Sequence, residues 1–161
     1  MINVLFVCHG NICRSPMAEF VLKKKTEERG ISNSFHIESA ATSREEIWNG
    51  IGNPVYPPAK EKLAENGIDC SGKTARQTLK SDYAEFDYII GMDYNNLRNM
   101  KRIYGSDNEH KLSLLLDYTE RPGEVADPWY TGNFDATWRD VTEGCDVFLG
   151  WLDNTGVLQE D

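Results

Sequence analysis

The sequence has no long apolar run. No stretch approaches the ~20 consecutive apolar residues that a transmembrane helix needs. The short apolar stretch Ile2–Val7 lacks a basic flank and a cleavage site, so no secretion signal is expected. Positive charge is scarce. The 26 acidic residues outnumber the 17 basic ones, giving a formal net charge of −9. That balance argues against nucleic acid or an anionic membrane as a bulk partner. It also obliges any phosphate site to make its own local positive field. Cysteine is sparse too, with four residues at positions 8, 13, 70 and 145. Cys8, His9 and Cys13 lack a matching second pair, so no zinc site is expected, and no other metal or cofactor is called for. A cytoplasmic setting follows, with the cysteines as thiols. Repeats, low-complexity tracts and long linkers are missing as well.

What remains is a chain of 161 residues with 40% hydrophobic and 11% aromatic content, read as one domain over residues 1–161. Four apolar segments read as buried strands: 3–8, 34–39, 86–92 and 111–115. Helical spacing lies between them at 16–29, 57–65, 94–104 and 135–152. Alternating strands and helices predict an α/β fold of three layers, a four-stranded parallel sheet with helices on both faces. Such a sheet has a crevice where its winding reverses, at the carboxyl end of strand one. Cys8 ends that strand. Two long loops, 40–58 and 117–133, are expected to carry binding elements.

The segment from Val4 to Met17 is the most informative, because it sets a phosphate loop between strand one and helix one. Gly10 permits a tight backbone and Asn11 tolerates a left-handed φ. The N–H groups of His9, Gly10, Asn11, Ile12, Cys13, Arg14 and Ser15 can then converge as an anion nest. A helix opening near Ser15-Pro16 adds its positive end, with Pro16 suited to the first helical position. Arg14 offers a planar fork for two phosphate oxygens. These groups favour the reactive thiolate of Cys8, and Ser15 can donate its hydroxyl to the sulfur. The Cys-x5-Arg spacing is weak by itself, since Cys70 and Arg76 share it. Its context is strong: Cys8 follows a buried strand and Arg14 precedes a helix.

A competitor lies at Gly67-Ile68-Asp69-Cys70-Ser71-Gly72-Lys73-Thr74, which matches G-x4-G-K-[ST]. A nucleotide loop of that kind needs a strand before it. Residues 59–66 carry an amphipathic helix pattern instead, so Gly67 reads as a helix C-cap. Asp127-Pro128-Trp129-Tyr130 precedes the last helix. A carboxyl beside bulky aromatics suits a general acid, although an aspartate before proline is also ordinary turn chemistry.

These residues together resemble the low-molecular-weight protein tyrosine phosphatases, their bacterial members in particular. The matching segments are 7–19, Ser39-Ala40, Ala75-Arg76-Gln77, Phe86-Asp87-Tyr88-Ile89 with Met92-Asp93, and 127–130. They run in the family's order over nearly the whole chain. The resemblance implies a metal-free phosphomonoesterase acting on a phosphotyrosine protein or a small aryl phosphate, as a monomer or weak homodimer. It implies Cys8 as the nucleophile, Arg14 as the phosphoryl clamp and Asp127 as acid and then base. Asn11 and Ser15 match residues that tune the loop. Trp48 and Tyr130, with Trp129 beside them, stand where aromatic walls meet the substrate ring. Arg76 gains a structural role, and Cys8 and Cys13 resemble a pair that oxidises reversibly.

Two departures are visible. The family often carries a histidine near Lys73 that buttresses the loop asparagine, and a charged lysine cannot accept a hydrogen bond. The 43–52 loop is also longer, with Arg44-Glu45-Glu46-Ile47 added before Trp48. An arsenate reductase on a similar scaffold would need a shuttle pair of cysteines, and Cys70 and Cys145 are too far apart in sequence to form one. A non-catalytic phosphotyrosine-binding module would not need nucleophile, clamp and acid together.

Overall fold

The computed structural model describes residues 1–158. Strand β1 (Ile2–Cys8) runs through the middle of a parallel sheet. Its partners are β2 (Phe35–Ala41) on one side and β5 (Tyr88–Gly91) on the other, and β6 (Leu112–Leu114) pairs with β5 at the edge. The sheet order is therefore β2-β1-β5-β6. Burial explains why β1 is central. Val4, Leu5, Phe6 and Val7 are all fully inaccessible, as expected for a strand covered on both faces.

Alternation along β1 feeds two cores. Val4, Phe6 and Cys8 face one layer, where helix α1 (Arg14–Glu28) packs on α6 (Phe134–Asn154) through residues such as Met17, Leu22, Val141 and Phe148. Leu5 and Val7 face the other, against Met100 and Tyr104 of α4 (Tyr94–Tyr104). The three-layer α/β architecture is the expected one. No helix among the described residues is long and apolar enough to cross a membrane.

The expected elements recur with shifted ends. Helix α2 (Pro57–Glu65) and α4 match their expected bounds. Helix α1 starts two residues earlier than Pro16, at Arg14. Pro16 still falls in the first turn, where its missing N–H costs no intrahelical bond. The expected strand at 86–92 shortens to β5 because residues 82–85 form a helical turn, α3 (Asp82–Glu85). The two long loops are structured. The first holds a small hairpin, β3 (Ile47–Trp48) with β4 (Ile51–Gly52), and the second holds α5 (Pro128–Thr131). Gly52 is required at the hairpin's base, because a Cβ there would lie 1.9 Å from the Ala75 carbonyl oxygen.

The sheet's winding reverses at β1, between β2 and β5. Cys8, at the carboxyl end of β1, therefore opens onto the crevice that this topology leaves.

Candidate active site

The loop from Cys8 to Arg14 folds around a cleft of ≈ 150 Å³ lined by Cys8, His9, Gly10, Ile12, Cys13, Arg14, Glu45, Glu46, Asp127, Trp129 and Tyr130. Asn11 supplies the bend, with φ +60°. Gly10 does not use a left-handed backbone. Its missing side chain makes room instead, since a Cβ there would stand 3.1 Å from Cγ of Glu46. Among the described residues, none of the backbone N–H groups of residues 9–13 is donated to another protein atom. N–H groups left free in this way, next to the first turn of a helix, are what an anion nest requires.

Cys8 lies at the bottom, buried, with Sγ 3.0 Å from Ser15 Oγ. The Ser15 oxygen accepts from Asn11 Nδ2 at 2.8 Å, which leaves its own hydroxyl hydrogen for the Cys8 sulfur. The same Asn11 nitrogen donates to Ser39 Oγ at 2.9 Å, and Asn11 Oδ1 accepts from the Arg76 N–H at 3.1 Å. These three bonds hold the left-handed residue in place.

The buttress behind Asn11 is rebuilt on charge. Ser39 donates its hydroxyl to Glu19 Oε1 at 2.5 Å. Glu19, on the buried face of α1, also accepts from Lys23 Nζ at 2.6 Å and stands 3.3 Å from Lys73 Nζ. Lys73 donates to the Ser39 carbonyl at 3.0 Å. So the lysine of the nucleotide-loop look-alike turns inward to the phosphatase-like loop. Gly67 is the C-cap region of α2, with φ +74° and its N–H on the Ala64 carbonyl. Burial lowers the Lys73 pKa below the usual lysine value, and Glu19 opposes that shift.

Arg14 is almost wholly buried, and its Nη1 donates to Asp93 Oδ2 at 2.8 Å and to the Val125 carbonyl at 2.9 Å. Burial works against its charge, but the Cys8 sulfur, Asp93 and Asp127 outweigh it and raise its pKa above the ordinary arginine value. Asp93 is itself fixed as the N-cap of α4, through Asn96 N–H at 2.7 Å. Asp127 caps α5, accepting from the Trp129 N–H at 3.0 Å, and its other oxygen stands 3.5 Å from Arg14 Nη2. Cys13 lines the same cleft, and burial, with Cys8 adding, pushes its thiol up to about 12.

Trp129 and Tyr130 stand at the mouth, 57% and 85% exposed. Trp48 is not among the residues that line the cleft. Ser43 pins its segment to the His9 carbonyl through its N–H and hydroxyl, so Ser43–Glu46 reaches the loop. The hairpin runs on past it, and Trp48 remains 80% exposed. Asn11 and Ser15 sit buried beneath the cleft surface rather than lining it. Arg76 takes the structural role expected of it, bonded to Asp82 and Glu38. In the sequence, Glu19 and Asp93 stand out only as members of matching segments and Glu45 and Glu46 only as part of the longer loop, none with a role of its own.

A thiol, a guanidinium and a carboxyl thus converge on a point ringed by N–H donors, which is the arrangement of a cysteine-dependent phosphomonoesterase. Comparison with known proteins narrows that class. The family described as Low molecular weight phosphotyrosine protein phosphatase matches residues 3–158. The low molecular weight protein-tyrosine-phosphatase YfkJ of Bacillus subtilis is 40% identical over 151 residues, covering 92% of this chain and 94% of its own. The human low molecular weight phosphotyrosine protein phosphatase is 38% identical over 152 residues, covering 91% and 93%. The crystal structure of YfkJ superposes with a TM-score of 0.90 over 96% of each chain. The chain belongs to the low molecular weight phosphotyrosine protein phosphatases, and it is a protein-tyrosine-phosphatase of that family.

Proposed function

We propose that the whole chain acts as one catalytic domain that hydrolyses phosphotyrosine, or a small aryl phosphate, in two displacements at Cys8. The observation that carries this reading is the position of the Cys8 sulfur. It sits at the floor of the N–H ring, 3.0 Å from the Ser15 hydroxyl, with Arg14 and Asp127 in the same cleft.

In the first displacement the Cys8 thiolate attacks phosphorus. The S–P bond forms as the bond from phosphorus to the phenol oxygen breaks, and the Asp127 carboxyl gives that oxygen its proton. The loop N–H groups and the Nε and Nη2 donors of Arg14 hold the phosphoryl oxygens, while Nη1 is committed to Asp93 and Val125. In the second displacement the Asp127 carboxylate takes a proton from water as that water attacks phosphorus. The S–P bond breaks, inorganic phosphate leaves and the thiolate returns. His9, Gly10, Ile12 and Cys13 complete the phosphate cradle, and Trp129 with Tyr130 forms the wall for the ring.

The same reading places the enzyme in the cytoplasm as a monomer or weak homodimer, with no nucleic acid or membrane among its partners. It also makes Cys8 and Cys13 a redox pair. Peroxide converts the Cys8 thiolate to a sulfenic acid; the Cys13 thiol then displaces water from it to form the disulfide, and a reducing thiol restores both.

The test is Cys8→Ser. Turnover of p-nitrophenyl phosphate is expected to disappear while inorganic phosphate still binds. Turnover that survives the substitution contradicts the assignment.

A further inference from the structure

The mouth of the cleft is acidic, although the floor is built for an anion. Of the residues lining it, Glu45, Glu46 and Asp127 carry carboxylates. Of the basic side chains there, Arg14 has Nη1 committed and keeps Nε and Nη2 for the phosphate, and His9 is paired with a carboxylate of the rim. Arg14 bonds Asp93 and stands beside Asp127, and His9 Nε2 lies 2.9 Å from Glu45 Oε2. Arg44 is exposed on the same segment but does not line the cleft.

Both glutamates have partners on neighbouring segments. Glu46 accepts from Asn53 twice, at its carbonyl from the N–H at 2.8 Å and at Oε2 from Nδ2 at 2.9 Å. Its methylene stem covers Gly10, where no side chain fits beneath it without the neighbour giving way. Glu45 is fixed by His9 and by a turn in which Ser43 holds the His9 carbonyl at 2.9 Å through its hydroxyl. The hairpin that follows is anchored where Gly52 abuts the Ala75 backbone. Carboxylates thus stand at the mouth of the cleft that the phosphate must enter.

We infer that Glu45 and Glu46 are specificity-determining residues that select phosphotyrosines flanked by lysine or arginine and reject those flanked by acidic residues. This rests on the proposed phosphotyrosine hydrolysis at Cys8. A dianionic phosphate meets repulsion from the rim before it reaches the N–H floor. A cationic neighbour on the substrate offsets that repulsion and finds a partner in Glu45 or Glu46. An acidic neighbour adds to it, as does the formal charge of −9 on the whole chain. The contrast falls on encounter and binding, hence on kcat/KM, because the rim groups lie outside the phosphoryl oxygens. Salt weakens it, since these carboxylates are reached by solvent.

The experiment uses the full chain and three phosphotyrosine peptides of equal length that differ only in their flanks: lysine, asparagine or glutamate. At low salt the kcat/KM for the lysine peptide is expected to exceed that for the glutamate peptide by about tenfold, the size that two exposed ion pairs supply. In Glu45→Gln/Glu46→Gln the ratio is expected to fall to within about twofold. In the unsubstituted protein, half-molar salt is expected to shrink it likewise, a readout that does not depend on the variant folding. Hydrolysis of all three peptides at one rate, or a preference for the glutamate peptide, overturns this inference alone. Failure to hydrolyse any of them overturns the phosphotyrosine reading itself.

Discussion

Replacing Lys73 with methionine tests the rebuilt buttress. Lys73 Nζ stands 3.3 Å from Glu19 Oε1 and donates to the Ser39 carbonyl at 3.0 Å. At an effective dielectric of about 20, a pair at that separation is attracted by roughly 5 kcal/mol before desolvation. Most of this is offset, because methionine does not require the buried ammonium to leave water. Lys23 remains on Glu19 at 2.6 Å and shields the carboxylate. What is left is the unpaired Ser39 carbonyl and a less neutralised Glu19, together about 2 kcal/mol of stability. The loop responds as well. Glu19 fixes the Ser39 hydroxyl, the hydroxyl receives Asn11, and Asn11 holds its left-handed φ of +60° against its intrinsic preference. Loosening that chain by about 1.4 kcal/mol in the transition state lowers kcat tenfold. Urea unfolding and p-nitrophenyl phosphate kinetics measure the two effects. Lys73→Arg keeps charge and donor and is expected to retain most of both. A Lys73→Met protein with unchanged midpoint and unchanged kcat would refute the chain of contacts as a functional device.

Three other perturbations have defined outcomes. Asp127→Asn is expected to slow phenyl phosphate by about 10²–10³-fold and p-nitrophenyl phosphate much less, because the better leaving group needs no proton; equal losses on both esters, measured in steady state, contradict the acid role. Burial opposes ionisation of Asp82, but Arg76, the Leu79 N–H and the Thr78 hydroxyl outweigh it and hold its carboxyl below the ordinary 3.8. A depressed acid stabilises the fold above its unfolded pKa and loses that contribution as pH falls through the folded value. Asp82→Asn should therefore cost about 2 kcal/mol at neutral pH and flatten the decline in urea midpoint below about pH 4, and a midpoint unaffected at neutral pH counts against it. Cys13→Ser should make peroxide inactivation irreversible to dithiothreitol, whereas the unsubstituted enzyme recovers activity; equal recovery in both removes the disulfide.

Much of this was legible in the order of residues. The run Val4–Val7 is buried on both faces and could only be a central parallel strand, so Cys8 had to fall at the sheet's switch point. Asn11 took the left-handed bend expected of it. Helix α1 begins two residues before Pro16, because a proline suits the first helical position but is tolerated at the third. Charged residues were the opaque part. Glu19 reads as half of an i,i+4 pair with Lys23, and that pair exists. Nothing local announces that Glu19 also turns under Ser39, or that Lys73 arrives from 54 residues downstream in the chain. Asp93 carried a readable signal, an Asx cap with Asn96 at the end of β5, but its grip on Arg14 depends on two strands lying side by side. The path of the 43–52 segment is equally non-local, set by Asn53 on Glu46 and by Ser43 on the His9 carbonyl.

Rapid-quench trapping with ³²P-labelled aryl phosphate tests the nucleophile most directly, using Asp127→Ala to slow the second displacement. One covalent label per chain is predicted, on the peptide that carries Cys8, lost when Cys8 becomes serine. Label on any other residue, or full turnover with no covalent label at all, would contradict it.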